Sequence, residues 1–199
     1  PAPEPKPILP ILPSGGQSAW KNPYQDVTDS SSYYEAVCYV TEKGLMNGTS
    51  ASTFSPDAAM TRAMMVTILW RMEKEPAALK SNFTDLTADW YRTAVDWAAE
   101  TGVVNGVGNG KFAPNATLSL EQLITILYRY AENKGYNVSK SALLDSFTDG
   151  SAVSAYARPA MQWAVGMNFL SGNTLTPGAP ASRAQIAQVL MLFCKAYIK

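Results

Sequence analysis

An internal repeat constrains this chain more than any single motif in it. An aromatic residue and an aspartate two positions later open each copy: Tyr24 and Asp26 in YQD, Phe83 and Asp85 in FTD, Phe147 and Asp149 in FTD. Steps of 59 and 64 residues separate the aspartates, a period that marks stacked or closed supersecondary units. The copies fill the sequence, with boundaries expected at 23–80, 81–142 and 143–199. A unit with one apolar stripe cannot bury it alone, so the copies must bury their faces on one another.

Each copy predicts an amphipathic helix. Its face is clearest in the second copy, at Tyr91, Ala94, Val95 and Ala98. Tyr33, Ala36, Val37 and Val40 match it in the first copy, and Ala157, Ala160, Met161 and Ala164 in the third. Tyr39, Trp97 and Trp163 keep the same register and read as core. The helix is expected to stop at Gly44, Gly102 and Asn168, the residue types that accept a left-handed C′ position. An apolar pair follows each stop, then a turn at Asn47-Gly48, Asn105-Gly106 or Ser171-Gly172, then the proline loops FSPD, FAPN and LTPG. A second helix begins beyond N-caps at Thr61, Ser119 and Ser182. Gln122 and Gln185 complete capping boxes, while Met64 stands in that place in the first copy. Apolar faces run through Val66, Leu69 and Trp70; Leu123, Ile126, Leu127 and Tyr130; Ile186, Val189, Leu190 and Phe193. The fold class is therefore all-α, three helical repeats. Closure about a pseudo-threefold axis is expected over an open solenoid, because no polar capping repeat is visible.

Composition excludes several functions. Sixteen basic and sixteen acidic residues leave no net charge, so nothing marks a nucleic-acid or membrane-surface binder. No apolar run reaches the roughly 18 residues of a membrane-spanning helix. Histidine is absent, which removes the commonest general base and metal ligand and makes Ser-His-Asp or Cys-His catalysis impossible within the chain. No catalytic residue, metal or cofactor is expected. Cys38 and Cys194 are wrongly spaced for a zinc site; two separate buried thiols are expected, with one disulfide as the alternative. Prolines at 1, 3, 5, 7, 10 and 13 predict an extended linker over residues 1–22, at about 3.1 Å per residue. A chain opening at Pro1 without initiator Met or signal peptide is expected to be a piece of something longer, with a cargo domain ahead of the linker.

Taken in order, these signals resemble the S-layer homology modules, which usually come in threes at one end of bacterial surface proteins. The resemblance runs from about Tyr24 to Lys199. Its carriers are the aromatic-x-Asp start, the Gly-apolar-apolar-x-Gly turn, the Phe-x-Pro-Asp/Asn loop and the Thr-Arg-Ala helix start. None is specific alone; their threefold recurrence is. The resemblance implies a non-catalytic, extracellular module that anchors its parent protein to the bacterial cell wall. Its partner would be secondary cell-wall polysaccharide, often bearing a pyruvate ketal, bound in grooves between adjacent repeats. The family's second helix typically begins Thr-Arg-Ala-Glu, whereas this chain has TRAM, SLEQ and SRAQ. Arg62 and Arg183 match the family position and Leu120 does not, so a groove relying on that copy's arginine is expected to bind poorly or differently.

The candidate residues have a physical rationale. A cation in the first turn of a helix opposes the macrodipole, but beside free helix amides Arg62 or Arg183 would suit a carboxylate. The alternative is pairing with a neighbouring aspartate such as Asp57 or Asp85. Asp26, Asp85 and Asp149 either cap amides, accept from sugar hydroxyls, or orient the arginine of an adjacent copy. Trp90 and Tyr156 precede the first apolar residue of their helices and could stack on a pyranose face, with Ser32 in that place in the first copy. The turn glycines Gly48, Gly106 and Gly172 complete the set. On this reading Arg62→Ala with Arg183→Ala abolishes wall binding and leaves melting nearly unchanged. Two rivals remain. Calcium-dependent protein docking is prompted by DVTD and DLTAD, but the sixth residue from Asp85 is Trp90 and the twelfth Asp96, not the glycine and glutamate of a calcium loop. A glycosidase-type carboxylate pair is the other, and no pair stands out from the repeat.

Overall fold

The computed structural model describes residues 21–198. Almost all of the expected linker lies outside them. Six α-helices follow in order: α1 Tyr34–Glu42, α2 Arg62–Met72, α3 Asp89–Glu100, α4 Leu120–Asn133, α5 Arg158–Gly166 and α6 Arg183–Tyr197. A 3-10 turn at Gly150–Ala152 precedes α5, and the described residues hold isolated β-bridges but no strand.

The helix ends obey local chemistry. Thr61, Ser119 and Ser182 each accept the amide three residues on, and Gln122 and Gln185 close capping boxes. At the other end, Gly44, Gly102 and Asn168 take φ of 66°, 75° and 59°. Behind each, an apolar residue's amide returns into the helix: Leu45 to Val40, Phe169 to Ala164, and in the second copy Val104 to Ala98.

Within a copy the turn and loop join the two helices, and in the first copy their Met46, Phe54 and Met60 are buried in the core. The helices that pack are offset by one copy: α2 with α3, α4 with α5, and α6 with α1. The last pair closes the ring. At its centre three backbone bonds run in a cycle, Met60 N to Ala181 O at 3.2 Å, Ala181 N to Leu118 O at 2.8 Å, and Leu118 N to Met60 O at 2.9 Å. The molecule is thus three helical repeats closed about a pseudo-threefold axis, and the first-helix residues read from the sequence as core are buried except for half-buried Tyr33 and Tyr39.

Two expectations need correction. Cys38 is only half-buried, since the buried side of α1 is formed by Ala36, Val37 and Val40; both thiols are free, and burial pushes Cys194 up to about 11. Trp70, placed on the apolar face of α2, is half-buried and donates to Pro76 O at 2.8 Å.

Candidate functional site

The aspartates that open each copy reach across the repeat. Asp26 accepts the amides of Phe54 and Ser55, Asp85 those of Phe112 and Ala113, and Asp149 those of Leu175 and Thr176, all at 2.7–2.9 Å. The second residue of each clamped pair, Ser55, Ala113 or Thr176, has positive φ, an unfavourable conformation for a side-chain-bearing residue that the carboxylate holds in place. Burial alone would raise the Asp85 carboxyl, but the two amides outweigh it and leave it below the usual carboxylate value. The loop amides hold Asp149 down in the same way. Both oxygens of each aspartate are thereby engaged, which is the amide-capping role, made at long range.

In the first two copies the clamped loop presents its carbonyl to the arginine of the preceding copy around the ring. Arg62 Nε donates to Phe112 O at 3.0 Å and its Nη2 to Asn105 O at 3.0 Å, with the guanidinium 4.7 Å from the Phe112 ring centroid. Arg183 does the same toward Phe54 O and Asn47 O, 4.6 Å from the Phe54 ring. Asp26 and Asp85 therefore each orient an arginine of an adjacent copy through the loop between them, whereas the Asp149 loop meets no arginine. Neither arginine bonds Asp57 or Asp85. The helix-start amides are not free either: Arg62 N and Ala63 N donate to Ala116 O and Pro114 O, and Arg183 N and Ala184 N to Ala58 O and Pro56 O. The expected anion site on bare helix amides is corrected accordingly: ring closure consumes those donors.

What remains open is a groove between copies, repeated three times. Its wall comes from positions three, six, seven and ten after the N-cap of a second helix. In the first groove, of about 170 Å³, these are Met64, Thr67, Ile68 and Arg71, joined by the turn Leu45–Gly48, Arg183 from the third copy and Trp90 from the second. The second, about 60 Å³, has Gln122, Thr125, Ile126 and Arg129 with Arg62 from the first copy and Tyr156 from the third. Gln185, Gln188, Val189 and Leu192 line the third, about 410 Å³, with Leu120 and Ser32. Its loop from turn glycine to clamped residue is three residues shorter, and small or aliphatic side chains replace both arginines and the aromatic.

Of the sequence-predicted residues, Arg62, Arg183, Trp90, Tyr156 and Gly48 line grooves; Asp26, Asp85, Asp149, Gly106 and Gly172 do not. The glycines serve packing: a Cβ on Gly48 would lie 2.5 Å from Tyr24 Cε1, and one on Gly106 2.7 Å from Phe83 Cε1. Gly172 has φ of 114°.

Arg71, Arg129 and Glu121 were missed. The first two recur ten residues after the cap, a signal that was readable; Glu121 breaks the Thr-Arg-Ala pattern by placing a carboxylate where the other copies have alanine. Buried Glu121 accepts from the Ser154 amide and hydroxyl and from the Tyr156 hydroxyl at 3.2 Å. Burial, and then Glu121, push the Tyr156 phenol up to about 12, so it stays protonated and holds its place at the second groove. Burial lowers the Arg62 guanidinium from its usual value, and neighbouring Arg129 lowers it further. Arg129 itself has no hydrogen bond or ion pair with a described residue. Two cations thus face one small cleft with no carboxylate bound to either.

A family model described as the S-layer homology domain matches residues 23–64, 82–124 and 146–187. An endoglucanase of Bacillus sp. (strain KSM-635) is 31% identical over 175 residues, covering 84% of this chain and 18% of that protein. The Surface-layer 125 kDa protein of Lysinibacillus sphaericus is 30% identical over 162 residues, 78% of this chain and 13% of its own. A cellulosome-anchoring protein of Acetivibrio thermocellus is 28% identical over 148 residues, 70% and 32% respectively. The chain spans less than a fifth of the first two relatives and about a third of the last. With each of the three repeats matched in turn, across more than half of the sequence, the chain belongs to the S-layer homology family.

Proposed function

We propose that the chain is a non-catalytic anchoring module that binds secondary cell-wall polysaccharide at the bacterial cell surface and tethers a larger protein there. Its kinship with a surface-layer protein and a cellulosome-anchoring protein supports the surface role, and the much greater length of those relatives fits a module carried by other domains. The endoglucanase kinship covers too little of that protein to bring its activity here. No helix among the described residues is long and apolar enough to cross a membrane.

The observation that carries the proposal is the meeting of Arg62 and Arg129, from different copies, at the second groove under Tyr156, with no carboxylate partner. Arginine donors in a partly dry cleft favour a planar anion, and the carboxylate of a pyruvate ketal has that shape. Arg183 and Arg71 frame the first groove beside the Trp90 ring, which offers a sugar an apolar face. The third groove has no arginine and is assigned no part in anion binding.

Co-sedimentation with purified wall polysaccharide, before and after chemical removal of pyruvate, tests the proposal. Arg129→Gln weakens binding to the native polymer by about tenfold or more and has little effect on the stripped polymer. Equal retention of the variant and the parent protein on native polymer would remove the second groove from the site.

A further inference from the structure

The three junctions where second helices end are equivalent in position but not in filling. Where α2 meets α4, the Tyr130 hydroxyl donates to Glu73 at 2.6 Å and Lys134 lies 3.0 Å from the same carboxylate. At the end of α6, the Phe193 ring packs among Trp163, Tyr136 and Tyr197. At the end of α2, Met72 stands eleven residues past the cap, where Tyr130 and Phe193 stand in the other copies. Facing it across the closing junction, Cys194 takes the place of Glu73. Helix α2 is also the shortest of its kind, and the chain leaves it through Lys74 and Glu75, both with positive φ. A cavity of about 490 Å³ remains, lined by apolar Tyr39, Leu45 and Met72 and by Lys43, Lys74 and Arg71, the last 3.8 Å from Glu75 of the same lining.

Leu45 and Arg71 also line the first groove, so the cavity adjoins it. We propose that this cavity is a second subsite of the first groove, taking the next residue of the same anionic glycan strand; this rests on the wall-polysaccharide reading of the groove. One sugar lies against Trp90 and Arg183, and its neighbour lies beyond Arg71 with its ring on the apolar lining and an acidic substituent facing Lys43 and Lys74. At the other two junctions Tyr130 with Glu73, and Phe193 with Trp163, stand at the equivalent positions.

The test is calorimetric titration of the whole chain with wall-polysaccharide fragments of one residue and of several, released from purified walls and separated by size. The longer fragments bind about tenfold more tightly than the single residue. Met72→Trp, which fills the cavity without changing charge, abolishes that difference and leaves single-residue affinity and melting unchanged; Lys43→Gln reduces the difference. A Met72→Trp protein that is folded and still prefers long fragments overturns the subsite. So does parent protein that binds all lengths equally. Failure of the parent protein to bind any fragment overturns the wall-polysaccharide reading instead.

Discussion

At the scale of single residues, Arg62 and Arg129 look alike in sequence and differ in what their removal does. Arg62 is a buried guanidinium that ties two copies through backbone carbonyls and an aromatic face. Arg62→Ala should therefore cost about 2–3 kcal/mol, seen as a lower denaturant midpoint, even where binding is not measured. Arg129→Ala should stay within about 0.5 kcal/mol of the parent protein. The expectation that loss of Arg62 and Arg183 would leave melting unchanged is thus replaced: these arginines belong to the scaffold as well as to the groove. Sequence spacing placed both at helix starts. It could not show that the amides beside them are taken, because their acceptors, Ala116 and Ala58 among them, lie in the loop of another copy.

The loops are the elements that carry the most hidden structure. Helix starts and stops were legible, since a Thr or Ser cap and a Gly or Asn at C′ act within one turn. The positive φ of Ser55, Ala113 and Thr176 was not, because no residue type there announces it and its support comes from an aspartate nearly thirty positions earlier. This clamp makes stability depend on pH. Asp85 and Asp149 have folded-state values below the unfolded ones, so their contribution is fully present above about pH 5 and is lost as pH falls through the unfolded value, near pH 4, and then the lower, folded values. Denaturant midpoints measured across acidic pH should hold steady down to about pH 5 and then fall. Asp85→Asn should lower the midpoint at neutral pH and flatten the acid limb; an unchanged limb would take Asp85 out of the acid transition.

For the whole molecule, closure is the decisive property. Removing residues 143–199 takes away α6, the partner of α1, together with Ala181, which completes the central hydrogen-bonded cycle. The remaining two copies should show no cooperative thermal transition by circular dichroism, whereas an open stack would merely lose stability in proportion to its length. Sequence alone determined the three copies, their order of signals, the helix ends and the buried stripe of each helix, because those depend on contacts within a turn or two of the chain. Only the tertiary structure decided that each first helix packs on the preceding copy's second helix, that aspartates clamp distant loops, and that Arg62 meets Arg129 while the third groove receives no arginine. Those outcomes arise where surfaces from different copies compete for the same buried space, and a periodic pattern states that a face is apolar without stating which neighbour will cover it.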